Sequence, residues 1–391
     1  MRKLRLKRGQ ERRILEGGLW VFSNQVEGFL RDYQPGEIVH LTTRGGRFLG
    51  VGYVNPHSLI AGRLLSRDDV EISIEFFCQR FRKAQNLRQK VLPGEDAVRE
   101  VFSEADELPG LIVDRYGEVL VIQIATAGMD RVRDLLIPAL QDVYHPQGIY
   151  ERSDLAVRKL EGLEERAELV AGLVPDKPIW VKYAGLAVPV DVKNGQKTGL
   201  YLDQRANIQY TARFASGARV LDAFSYVGPW GLAAAKCGAR EVTFLDSSPW
   251  ALAQVEKAAR RNRVADRCRT VTANAFDALK EMARKKVRFD LVILDPPSFI
   301  KARSRFQEGC KGYFDINQRA LALVEPGGLL VTCSCSHHME EAAFLDLLGS
   351  VLRRSSREGR ILFKGRQGPD HPVRPSMPET EYLHCVALQV D

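Results

Sequence analysis

At 391 residues the chain exceeds what one hydrophobic core usually serves, and 45% apolar residues with four tryptophans supply two or three packed domains. No run approaches the roughly 20 apolar residues of a bilayer span, and MRKLRLKRGQERR is not followed by the apolar stretch of a signal peptide, so a cytoplasmic location is expected and a membrane partner is not. Seven irregularly placed cysteines argue against a disulfide framework, while the net charge of +8 favours a polyanionic partner.

That charge is uneven. Residues 1–13 carry seven cations, Arg2, Lys3, Arg5, Lys7, Arg8, Arg12 and Arg13, against the single Glu11. Arg80, Arg82, Lys83, Arg88 and Lys90 form a second run with no acid inside it. Each run reads either as a solvated face or as a surface for RNA phosphates.

Up to about residue 72, short alternating runs broken by glycine (WVFSN, GEIVHL, RFLGVGYV, LIAGRLL) predict a small β-rich domain. Residues 73–91 set Ile74, Phe77, Phe81, Ala84 and Leu87 at steps of three and four, the spacing of one amphipathic helix. Strands GLIVDRY and VLVIQIA, a helix near 129–141 and a strand pair at GIYERSD and ERAELVAG make residues 73–175 a central α+β module. From 176 to 391 strands RVLDAF, EVTFLD, RTVTA, FDLVILD and GLLVTCS alternate with helices, which specifies a parallel, doubly wound α/β sheet. ILFKG and YLHCVALQV read as closing strands around a Pro/Gly-rich loop, GRQGPDHPVRPSMPET.

Ligands of such sheets bind at the C-terminal strand ends. The first strand ends in DAFSYVGPWG, where Asp222, Phe224, Gly228 and Gly231 suit a tight turn against a ligand; without G-x-G-x-x-G, a nicotinamide dinucleotide is poorly supported. Asp246 ends the second strand, placed either to accept from ribose hydroxyls or to cap the next helix. Asn274 ends the third, as an adenine contact or a polar loop residue. The fourth ends in Asp295-Pro296-Pro297-Ser298-Phe299, whose prolines remove two backbone donors beside a carboxylate. The fifth ends in Thr332-Cys333-Ser334-Cys335-Ser336-His337-His338, open to three readings: buried thiols, a catalytic nucleophile, or a zinc site that lacks a second tight Cys/His pair. Upstream, GQKTGLYLDQR (195–205) is either a surface loop or a cover for a cofactor, with Tyr201 packing on it and Asp203 and Arg205 fixing the loop.

With these residues assembled, the sequence resembles the bacterial 23S ribosomal RNA methyltransferases that join a PUA domain to a class I methyltransferase and make 5-methylcytosine. LKRGQERRILEGGLWVFSNQV and GYVNPHS resemble the PUA domain; ELPGLIVDRYG and ERSDLAVRKLEGL the central module; GQKTGLYLDQR, FSYVG, DPPSF, KGYFDINQRAL and TCSCS the catalytic domain. The resemblance implies a multi-domain fold: PUA over 1–72, α+β module over 73–175, Rossmann-like methyltransferase over 176–391. It implies S-adenosylmethionine as cofactor, held by Tyr201, Asp222, Phe224, Tyr226, Gly228, Asp246, Asn274, Ala275 and Asp295. It also implies Cys335 as nucleophile with Asp295 holding the cytosine, and no metal. The expected partner is 23S RNA or a large-subunit assembly intermediate, with a homodimer as the self-association considered. The resemblance also implies which cysteine reacts: counted from the Gly327-Gly328 turn as in RNA cytosine methyltransferases with a nucleophile on this strand, it is Cys335, and Cys333 lies ~6.5 Å deeper along the strand. The sequence departs from the family at Pro229, where glycine is usual, and at Asn274, where an acid is usual. Two rival readings stand: methylation of an exocyclic base nitrogen, which needs no cysteine, and a non-catalytic ribosome-assembly factor.

Overall fold

The computed structural model describes residues 1–391, which divide into two compact units. The first comprises residues 1–179, 190–202 and 369–380, and the second residues 180–189, 203–368 and 381–391.

In the first unit β1 (Arg2–Arg5), α1 (Arg12–Leu15), β2 (Trp20–Val21), β3 (Glu37–Thr42), β4 (Phe48–Val54) and β5 (Gly62–Ser66) come first, with the strands in the order β1-β3-β4-β5-β2. Cations alternate with leucine at the start, so Leu4 and Leu6 are fully buried while Lys3 and Arg5 face outward on an edge strand. Charge on a sheet edge also discourages pairing with another chain.

Helix α2 (Ile74–Val91) begins at Ser73, whose hydroxyl accepts from Phe76 N at 3.3 Å. Its buried face holds Phe77, Phe81 and Ala84 as the spacing predicts, but Ile74 and Leu87 are exposed. Arg88 is buried instead, because Asp106 accepts both ends of its guanidinium at 2.6 and 2.7 Å. A second sheet, in the order β10-β9-β8-β7-β6, follows from β6 (Ala97–Phe102), β7 (Leu111–Tyr116), β8 (Val119–Ile124), β9 (Gly148–Ser153) and β10 (Arg166–Gly172). The sequence reading missed β6, whose alternation is broken by a bulge between Arg99 and Val101. The single helix expected near 129–141 is two, α3 (Ala127–Arg131) and α4 (Arg133–Tyr144), and α5 (Val157–Leu160) precedes β10.

The Pro/Gly-rich loop belongs in part to this first unit. Arg88 Nη2 donates to the Asp370 carbonyl at 2.9 Å, Ser376 Oγ donates to the Gly17 carbonyl at 3.0 Å, and Met377 is fully buried in the core of the first sheet.

The second unit opens on a hairpin, β11 (Ile179–Tyr183) and β12 (Leu186–Val190), that the sequence reading did not contain. After α6 (Arg205–Thr211) come β13 (Arg219–Ala223), α7 (Pro229–Lys236), β14 (Glu241–Asp246), α8 (Pro249–Arg261), β15 (Cys268–Thr272), α9 (Ala275–Arg284), β16 (Phe289–Leu294), α10 (Phe306–Leu321), β17 (Val324–Ser334), α11 (Glu341–Arg354), β18 (Gly359–Gly365) and β19 (His384–Val390). The sheet order is β15-β14-β13-β16-β17-β19-β18, with β13 to β17 parallel and β19 antiparallel to its neighbours. Strand order therefore reverses between β13 and β16, and the crevice for a ligand opens at their C-terminal ends. A Cβ at Gly231 would stand 2.4 Å from a ring carbon of Phe244, so glycine there is what lets α7 pack closely on β14.

Candidate active site

At the switch point the FSYVG turn holds three residues in the left-handed region: Phe224 (φ 62°), Tyr226 (φ 49°) and Gly228 (φ 82°). Two carboxylates hold this costly shape. Asp246 accepts from Tyr226 N through one oxygen and from Ser248 N through the other, both at 2.8 Å, while Asp222 accepts from Gly231 N at 2.8 Å. Asp246 is not the cap of α8; Ser248 is, accepting from Ala251 N. Asn274 caps α9, its Oδ1 accepting from Phe276 N and Asp277 N; Ala275 begins that helix, buried. Pro229 occupies the first position of α7, where a missing N–H costs no helical bond.

Asp222 is fully buried and its Oδ1 has no hydrogen-bond partner. Burial, reinforced by the charges of Asp295 and Asp246 against the Gly231 hydrogen bond, pushes its carboxyl up to about 8. Between about pH 4 and 8 the folded chain thus keeps a proton that the unfolded chain has released, and stability falls as pH rises through that window. Asp222→Asn should flatten this dependence in thermal melts of the cofactor-free protein. Parallel pH profiles for the two proteins would mean that Asp222 is ionised in the fold.

Asp295, just beyond β16, accepts from Gln204 Nε2 at 2.9 Å and from Trp230 Nε1 at 3.1 Å, one on each oxygen. Gln204 is held in turn by Asn207, whose amide donates to its Oε1 at 2.7 Å. Neither Gln204 nor Trp230 was singled out in the sequence. Their one local signal is position, inside GQKTGLYLDQR and beside FSYVG.

Cys335 follows β17 and is half-buried, its sulfur 3.9 Å from the Pro296 carbonyl. Cys333 is fully buried and lies in register with Cys385 on β19, where burial above all, and then the neighbouring thiol, raise its pKa well above the ordinary value. Ser336 binds three elements together: its hydroxyl lies 2.8 Å from those of Ser298 and Tyr313 and accepts from Ile300 N at 3.3 Å. Burial first, then Cys335, pushes the Tyr313 phenol up to about 12, so it stays a hydroxyl at neutral pH. The motifs DPPSF, KGYFDINQRAL and TCSCS thus meet at one point. His337 stacks on Tyr382 at 5.0 Å, and no group of three His, Cys, Asp or Glu side chains is arranged to hold a metal.

The GQKTGLYLDQR segment divides between the units. Tyr201, in the first, donates to Gln196 at 2.7 Å; in the second, Asp203 accepts from Tyr382 OH at 2.6 Å and Arg205 lies over the Tyr183 ring. Folding engages much of both basic runs. Arg2 pairs with Glu37, Lys7 donates to the Asn24 carbonyl, Arg12 pairs with Glu16 and Arg13 with Glu379, leaving Lys3, Arg5 and Arg8 as exposed outward cations. In the second run Arg80 and Lys83 pair with Glu107, Arg82 with Asp142 and Arg88 with Asp106.

Residues 4–67 match a PUA-like domain and residues 167–357 an S-adenosylmethionine-dependent methyltransferase. The chain is 37% identical to the ribosomal RNA large subunit methyltransferase I of Aeromonas salmonicida and 38% identical to that of Aeromonas hydrophila, each alignment covering 98% of both chains. The chain belongs to the ribosomal RNA large subunit methyltransferase I family. A solved S-adenosylmethionine-dependent methyltransferase structure from Streptococcus mutans shares the fold over 100% of both chains, with a TM-score of 0.85 at 21% identity.

As a member of this family the chain is an S-adenosylmethionine-dependent methyltransferase. The residues present fit that cofactor. It carries a sulfonium and an ammonium charge, and the crevice offers the carboxylates of Asp246 and Asp295 beside the buried Asp222, whose Oδ1 lacks a partner.

Proposed function

We propose that the chain forms 5-methylcytosine in large-subunit (23S) ribosomal RNA, free or within a large-subunit assembly intermediate, through a covalent adduct at Cys335. The observation that carries this reading is the contrast between the two cysteines: Cys335 half-exposed against Pro296, one residue from Asp295, and Cys333 sealed against Cys385. Family membership supports the RNA substrate.

Carbon 5 of cytosine is a poor nucleophile, so it needs activation before it can accept a methyl group. S-adenosylmethionine supplies that methyl group on a positively charged sulfur. The Cys335 thiolate forms a bond to carbon 6, which moves the double-bond electron pair onto carbon 5 and lets it take the methyl as the sulfur–methyl bond breaks, its electron pair remaining on a neutral thioether that leaves. Asp295, aimed by Gln204 and Trp230, accepts from the cytosine amino group and holds the ring against the thiol. A base then removes the carbon-5 proton; the released pair restores the double bond and expels Cys335 as thiolate. In the crevice Asp246 would receive the ribose hydroxyls, Asn274 and Ala275 would border the adenine, and Phe224, Tyr226, Gly228 and Asp222 would shape the methionine end.

Nucleoside mass spectrometry of 23S RNA from a strain lacking the protein, against wild type, tests the reading. Loss of one 5-methylcytidine, restored by the purified enzyme, is the expected result. Loss of an N-methylated base instead would favour exocyclic transfer, and an unchanged profile would favour an assembly factor without turnover.

A further inference from the structure

The two basic runs conspicuous in the sequence are engaged in part by internal partners, and a third cationic segment lies next to the candidate site. Lys301, Arg303 and Arg305 follow the Asp295–Ile300 loop directly and are all exposed, and Lys311 is exposed on α10. The single acid among them, Glu308, approaches Arg305 at 3.9 Å with both side chains largely in solvent, a pairing worth little. The start of this segment is held firmly: Ile300 is buried, and its N–H donates to Ser336 beside Cys335. Gly309 and Gly312 let α10 close on it, since a Cβ at Gly309 would stand 2.3 Å from Ile300 Cγ1 and one at Gly312 would stand 3.3 Å from the Phe299 ring.

A base presented to Cys335 stays attached to its strand, so the flanking phosphates must lie at the rim of the site. Exposed cations that begin one residue past the anchored Ile300 are at that rim. We propose that Lys301, Arg303 and Arg305 form a phosphate clamp that holds the RNA backbone next to the target nucleotide. This inference rests on the RNA-methyltransferase reading above and adds a binding surface to it.

The test is a salt titration of binding to unmodified 23S RNA transcribed in vitro, comparing the wild-type enzyme with the triple variant Lys301→Gln, Arg303→Gln, Arg305→Gln. Each lost contact on single-stranded RNA should lower the slope of log affinity against log salt by about 0.7, and the three together should weaken binding about a hundredfold at 0.1 M salt. S-adenosylmethionine affinity should not change, and the charge-retaining variant Lys301→Arg, Arg303→Lys, Arg305→Lys should recover most of the RNA affinity. Wild-type slope and affinity in the Gln variant, while the native enzyme methylates the same RNA, overturn the clamp and leave the functional reading standing. A native chain that neither binds nor methylates the RNA removes both.

Discussion

Cys335→Ala should abolish methyl transfer, lowering kcat by more than about a thousandfold, because in the proposed mechanism Cys335 alone supplies the addition to carbon 6. It should also abolish the covalent complex with RNA carrying 5-fluorocytosine, in which fluorine replaces the proton whose removal frees the enzyme. Cys333→Ser should retain both activities, with a loss of stability from placing a hydroxyl in the sealed contact with Cys385. Denaturing gels for the trapped complex and radiolabelled methyl transfer read the two outcomes separately. Activity that survives in Cys335→Ala but not in Cys333→Ser would reverse the assignment, and full activity in both would replace thiol catalysis with transfer to a base nitrogen.

The second large effect is expected at Asp295. Asp295→Asn keeps the shape of the side chain and removes its charge, so kcat should fall by about a hundred- to a thousandfold, the scale of losing one preorganised electrostatic partner in a transition state. Trp230→Phe removes a donor that aims the carboxylate and should give a smaller loss in kcat, separating positioning from chemistry. Single-turnover assays at saturating cofactor are the measurement. A kcat within a fewfold of wild type for Asp295→Asn would take the carboxylate out of the reaction.

Much of the catalytic unit was legible because its signals are local. Five strands alternate with helices along the sequence as they do in the structure, and the polar residues at or just beyond their C-terminal ends, Asp222, Asp246, Asn274, Asp295 and Cys335, follow from that alternation. The β11–β12 hairpin left no comparable trace. It is anchored by Asn262, whose side chain bonds both the N–H and the carbonyl of Ala187. The bulge in β6 likewise hid a strand whose pairing with β7 is clear in the structure.

By itself the sequence determined the strand and helix alternation from β13 to β17, the doubly wound class and the motifs at the strand ends, since side-chain periodicity and turn residues act within a few positions of the chain. Only the tertiary structure decided which cysteine is sealed, because Cys385 reaches Cys333 through a strand pairing far along the chain. It also decided that Gln204 and Trp230 aim Asp295, that residues 369–380 pack into the first unit, and that Arg88 is buried on Asp106 while Lys301, Arg303 and Arg305 remain in solvent. A charge run looks the same in the sequence whether or not acids converge on it, and that convergence depends on residues brought together only by folding.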